Sequence, residues 1–232
     1  MLNRIMVFGD SLLRGVVLDA HRRYTRLPVC TAQEVQNTLN IEIENYSVFG
    51  MTATKALRRY FSDGKQSFRD AAVLIEYGGN DCKFNWHEIP DPPPGEHPAV
   101  TDVPAFVKAL EKMVRPVQKE GGTPILMTLP PLDSERFLAW VSADGARREN
   151  ILLWLGDVEH IYRWQERYSN AVMRVAARTR ASLADVRDCF LARADYRDCV
   201  CEDGMHLNQK GNMLMADFFI RYANRHRLEL AV

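Results

Sequence analysis

The sequence predicts an α/β fold built on a parallel sheet. Short apolar runs of strand length alternate with longer stretches of helical periodicity, the pattern of βαβ units. One run, Ala71-Ala72-Val73-Leu74-Ile75-Glu76-Tyr77, is so strongly apolar that it belongs in the middle of a sheet covered on both faces. The length, 232 residues, suits one domain with a substantial core, spanning residues 1–232.

Taken in order, Ile5-Met6-Val7-Phe8 reads as a short buried strand that stops at Gly9, where a turn begins. Apolar residues at near-helical spacing follow, so Ser11 is expected at a strand-to-helix junction. In an open parallel sheet that junction lies at the carboxyl end of the strand, where ligands bind. His21 to Pro28 is basic and reads as an irregular, solvated surface piece close enough to Ser11 to touch a substrate. Thr31 to Asn40 is a helix with Val35 and Leu39 inward, and Ile41 to Val48 alternates as a half-exposed or edge strand does. Phe49-Gly50-Met51-Thr52 is a turn, with Thr52 capping a helix from Ala53 to Phe61.

The central run ends in Gly78-Gly79-Asn80-Asp81. Prolines deny regular structure to the loop that follows, residues 90–98. Val103 to Lys119 is a helix, Gly121-Gly122 its stop, and Pro124 to Pro130 the fourth strand. Residues 131–161 form an insertion rich in large apolar groups, among them Phe137, Trp140, Ile151 and Trp154. Such a segment covers an active site, supplies a surface for self-association, or completes the core. Tyr162 to Arg180 is a long amphipathic helix, Ala181 to Val186 the fifth strand, Cys189 to Cys201 loop or short helix, and Gln209 to His226 the last helix.

Lysine plus arginine balance aspartate plus glutamate at 30 each, so no net charge recruits nucleic acid. No apolar run approaches membrane-spanning length and no export signal precedes the first strand, which points to the cytoplasm. Five cysteines, an odd number, agree with a reduced compartment, and Cys199-Val200-Cys201 reads as two ordinary thiols. No His-Glu-x-x-His, Walker A, Gly-x-Gly-x-x-Gly or Gly-x-Ser-x-Gly motif occurs, which argues against zincin, NTPase, dinucleotide and α/β-hydrolase chemistry.

Chemistry-bearing residues fall where strands end: Ser11 after the first, Gly50 after the second, Asn80 after the third, Asp203 and His206 beyond the fifth. Each has an ordinary reading alone. Ser11 and Asp203 are good helix caps, Gly50 suits a positive φ, Asn80 suits an Asx turn, and His206 suits an exposed loop. Together, Gly9-Asp10-Ser11-Leu12, Gly50, Gly78-Gly79-Asn80-Asp81 and Asp203-Gly204-Met205-His206 resemble the SGNH, or GDSL, hydrolase family, in the family's order and across the whole chain.

That resemblance implies a flavodoxin-like α/β/α sandwich with strand order 2-1-3-4-5, and a serine esterase. A serine hydroxyl needs a neighbouring base, and His206 is the histidine placed in a suitable motif. Asp203, three residues earlier, can hold Nδ1–H and leave Nε2 to face Ser11, completing a triad. The family assigns the oxyanion hole to the backbone N–H groups of Ser11 and Gly50 and the side-chain amide of Asn80. Asp10, Gly79 and Asp81 are expected to brace the two loops. The expected substrate is a small ester, probed first as short-acyl or O-acetyl, with longer-chain thioesterase or lysophospholipase activity and a catalytically silent binding module as alternatives. No metal or organic cofactor is called for.

Overall fold

The computed structural model describes residues 4–62, 66–89, 96–143 and 147–226. Along the chain lie β1 (Arg4–Phe8), β2 (Val16–Leu18), β3 (Tyr24–Arg26), α1 (Thr31–Leu39), β4 (Ile43–Asn45), α2 (Ala53–Ala56) and β5 (Ala71–Ile75). Then follow α3 (Val103–Lys119), β6 (Thr123–Met127), α4 (Ser134–Ala143), α5 (Arg148–Leu155), α6 (Glu159–Thr179), β7 (Ser182–Ala184), α7 (Val186–Leu191) and α8 (Gln209–Arg225).

Five strands form one parallel sheet in the order β4-β1-β5-β6-β7. Counted within the sheet this is 2-1-3-4-5, as the sequence led one to expect. Successive side chains point to opposite faces. Met6, Phe8, Val73, Ile75 and Leu126 therefore pack beneath α3 and α6, against Phe106, Leu110, Met113, Tyr168 and Val172. Val7, Ala72, Leu74, Ile125 and Met127 pack on the other side against Val186, Phe190, Met215 and Tyr222. All five residues of β5 are buried, which a strand covered on both faces requires.

The segment after Ser11 departs from expectation. No helix follows β1; residues 10–15 form a compact turn in which Val16 N–H donates to Ser11 O at 2.9 Å and Gly15 N–H to Leu12 O at 3.0 Å. The chain then enters an antiparallel hairpin, with Val16 opposite Arg26 and Leu18 opposite Tyr24. The reason is local. Gly15 takes φ +74°, and a Cβ there would lie 2.3 Å from that of Cys30. Val16 and Val17, spaced like an apolar helix face, are β-branched and favour the strand. Asp19 closes the hairpin by accepting from the N–H groups of His21 and Arg23. The basic piece read as irregular is thus partly a strand, β3.

The described residues between 131 and 161 hold α4, α5 and the first turn of α6. Phe137, Leu138, Ile151, Leu155 and Ile161 join Phe84, Trp86 and Ile89 in a separate apolar cluster over the loop after β5. The proline-rich stretch lies mostly outside the described residues, at 90–95; Trp86–Glu88 before it forms one 3-10 turn. Among the described residues no helix is long and apolar enough to cross a membrane.

Candidate active site

The turn after β1 is fixed from beneath. Asp10 N–H donates to Glu76 Oε2 at 3.1 Å, while Asp10 Oδ1 accepts from Leu12 N–H at 3.0 Å, an Asx-type bond that curls the chain around Ser11. Gly9 leaves room for this, since a Cβ there would sit 2.9 Å from Glu76 Oε2.

The turn delivers Ser11 to His206. Ser11 Oγ lies 2.9 Å from His206 Nε2, and His206 Nδ1 lies 2.5 Å from Asp203 Oδ2. Asp203 Oδ1 accepts from the N–H groups of Met205 and His206, at 3.0 Å each, so the carboxylate is held from two sides. Burial opposes the charge on Asp203, yet the bonds from His206 and these amides together hold its pKa below the usual carboxylate range. We assign the Nδ1–H tautomer to His206, because an ionised carboxylate only accepts. Nε2 then faces the serine as an acceptor.

Gly204 shapes the loop that carries this pair. Its φ is +71°, and a Cβ would come 2.4 Å from Phe137 N and 2.5 Å from Asp133 O. Val200 and Leu207 close the base of the loop as an antiparallel bridge, and Cys201 N–H donates to His206 O at 2.7 Å.

Gly50 and Asn80 face the same cavity as Ser11 and His206. Gly50 has φ +70°. Among the described residues, neither its N–H nor that of Ser11 donates to a protein acceptor. Asn80 Nδ2 donates to Asp10 Oδ2 at 2.9 Å, which fixes the amide and leaves its second N–H for another acceptor. Gly79 lies beside this bond, its Cβ position 3.5 Å from Asp10 Oδ2. Asp81 accepts from Ala53 N–H through both oxygens, at 3.1 and 3.0 Å, and so ties the Asn80 loop to the start of α2, three residues beyond Gly50. Thr52 caps the same helix by accepting from Lys55 N–H.

Three further acids are buried beside Asp203. Burial pushes Asp81 up to about 6, and raises Asp10 against the pull of the Leu12 amide and His206. Glu76, with no exposed surface, is held well above the usual range by burial and then by the charge of Asp10.

The cavity over Ser11 has a volume of about 500 Å³. Its buried wall is aromatic and aliphatic: Phe84, Trp86, Phe137 and Ile161, with Trp164 half-buried. Tyr24 and Phe49 flank His206, their rings 5.0 and 6.2 Å from the imidazole, and Trp140 lies 6.2 Å from the Tyr24 ring. Sequence reasoning singled out none of Tyr24, Phe49, Phe84 or Trp86. Phe49 and Phe84 stand within four residues of Gly50 and Asn80, which is a signal that adjacency could have given; Tyr24 had only that of its segment, His21 to Pro28, read as close enough to Ser11 to touch a substrate. Of the other histidines, His87 lines the cavity, His97 packs on Trp154 and His160 on Trp164. Cys199 and Cys201 are buried free thiols whose burial raises them. No group of three metal-ligating side chains occurs among the described residues.

The chain is similar in fold to solved structures of matching length. A lipase/acylhydrolase from Enterococcus faecalis superposes with TM-score 0.66 at 19% identity, covering 97% of this chain and 96% of its own. An acetylxylan esterase from Geobacillus stearothermophilus gives 0.64 at 17%, covering 94% and 93%. The psychrotrophic esterase EstA from Pseudoalteromonas gives 0.59 at 18%, covering 97% and 98%. No curated protein sequence matches the chain. The sequence profile of one family fits residues 7–214, nearly the whole sheet and its helices, and on that match the chain belongs to the GDSL-like lipase/acylhydrolase family.

Proposed function

We propose that the protein hydrolyses carboxylic esters through an acyl-enzyme on Ser11. One observation carries the reading: His206 stands between Ser11 Oγ, at 2.9 Å, and Asp203 Oδ2, at 2.5 Å. His206 takes the serine proton as Oγ bonds to the ester carbonyl carbon. The N–H groups of Ser11 and Gly50 and the free amide hydrogen of Asn80 receive the oxyanion. As the C–O bond to the alcohol breaks, His206 returns the proton to the leaving oxygen. Water, deprotonated by the same imidazole, then releases the acid. Asp203 steadies the imidazolium in both halves.

The cavity favours an apolar acyl group of medium length over acetyl. A water molecule's share of liquid volume is about 30 Å³, so about 500 Å³ is far more room than one methyl group fills. Residues 131–161 serve in this reading as a wall of the acyl site, since Phe137 and Ile161 turn inward.

A series of p-nitrophenyl esters from acetyl to palmitoyl tests both parts. Ser11→Ala should lower kcat by about a million-fold, the scale of triad serines, and kcat/KM should peak at intermediate chain length. Undiminished turnover by the Ser11→Ala protein rejects the mechanism. A maximum at acetyl rejects the acyl-site assignment alone, and failure of a fluorophosphonate to label Ser11 favours a binding module.

A further inference from the structure

We propose that Tyr24 is a positioning residue for the Asp203–His206 pair, delivered by the β2–β3 hairpin acting as a strap across the site. The inference rests on the serine-esterase reading and adds to it a group outside the triad and oxyanion hole.

The Tyr24 hydroxyl donates to Asp203 Oδ2 at 3.3 Å, the same oxygen that faces His206 Nδ1. Its ring packs 5.0 Å from the imidazole, 5.5 Å from Phe49 and 6.2 Å from Trp140. One side chain thus touches the acid, the base and the cavity wall. Burial, and then the Asp203 charge, raise the phenol's pKa well above its ordinary value, so it stays a donor across the working pH range.

The hairpin is anchored at both ends of this contact. At its base, Val16 N–H donates to Ser11 O at 2.9 Å, and Leu27 N–H to Gly15 O at 2.9 Å. At its tip, Arg22 lies 4.6 Å over the Trp140 ring and reaches Glu202 Oε1, beside Asp203, at 3.5 Å. The strap therefore spans from the nucleophile turn to the acid–base loop and to α4. A tyrosine held this way restricts the carboxylate's rotation and covers one edge of the imidazole against water.

The bond has a signed consequence. A hydroxyl donating to Oδ2 spreads the carboxylate's charge and competes with Nδ1–H for it. Removing the hydroxyl concentrates that charge on the imidazolium, which favours the protonated, inactive base and moves the acid limb of kcat/KM to higher pH. The other titratable groups facing the pair are Asp10, from the β1 turn, and Cys201, two residues before Asp203, and both stay unchanged in the variant.

The test compares wild type, Tyr24→Phe and Tyr24→Ala by kcat, KM and pH profile on one p-nitrophenyl ester, and by the low-field proton resonance of His206 Nδ1–H. Fluorophosphonate labelling of the wild type reports on the serine reading by itself. Tyr24→Phe keeps the ring. It should lower kcat about three- to tenfold, the scale of one ordinary hydrogen bond, with KM unchanged, the acid limb moved up and the low-field resonance displaced. Tyr24→Ala should also raise KM, because a cavity wall is lost. A Tyr24→Phe protein with wild-type kcat, acid limb and resonance overturns the proposal, as does a loss of kcat with limb and resonance unmoved. An unlabelled, inactive wild type removes the serine reading, and this one with it, before any variant is compared.

Discussion

Asp81 shows how the site is held by a residue that takes no part in the chemistry. Its side chain is buried and spends both oxygens on Ala53 N–H. Burial lifts its pKa from 3.8 to about 6. Between those values the folded protein keeps a proton that the unfolded chain has released, so this group's contribution to stability falls as pH rises through the window and is level above it. Asp81→Asn removes that slope. Relative to the variant, wild type should lose up to roughly 3 kcal/mol between pH 4 and 6.5, read from denaturant midpoints at each pH; parallel curves would show that Asp81 titrates normally. Ser11, Asn80, Asp203 and His206, which the structure brings to one cavity, were singled out from short local motifs and the family resemblance those motifs carry. Tyr24 was not, since its partner lies 179 residues away and only tertiary structure gives a tyrosine that meaning.

At the scale of elements, helices with clear ends were readable. α3 runs Val103–Lys119 as its period and punctuation require, with Asp102 accepting from Ala105 N–H at 2.7 Å. The hairpin was missed because Leu12, Leu13, Val16 and Val17 imitate a helical face, and periodicity alone does not register the close approach of Gly15 to Cys30. A comparable approach governs the loop carrying Asp203 and His206, where Gly204 abuts the Asp133 carbonyl and Phe137 amide at the start of α4. Gly204→Ala should therefore cost about 3 kcal/mol or more in stability, combining a clash with a left-handed backbone. In the protein that still folds, kcat should fall more than KM changes, because the loop shift misaligns His206. A variant within half a kcal/mol of wild type would show that α4 yields easily.

At the scale of the whole molecule, the alternation of strands and helices made a parallel sheet legible and the family resemblance implied its order, while the packing of its two faces was not legible. Between the sheet, α1 and α8 there is an apolar cavity of about 60 Å³ lined by Val35, Leu39, Leu74, Phe219 and Tyr222, sharing no residue with the cavity over Ser11. Val35→Ile should recover about 0.5–1 kcal/mol with kcat unchanged, measurable as a raised unfolding midpoint; destabilisation would mean the void is shaped wrongly for a methyl group. The cavity over Ser11 has a different construction. Tyr24 comes from the hairpin, Phe84 and Trp86 from the loop after β5, and Phe137 and Trp140 from α4, so none of these walls belongs to the sheet. In the proposed reaction, the choice of ester and the act of cleaving it are thus written on parts that meet chiefly at the hairpin, through Tyr24. Exchanging the segment after β5 among homologous scaffolds should redirect selectivity while the bond-breaking apparatus is inherited intact.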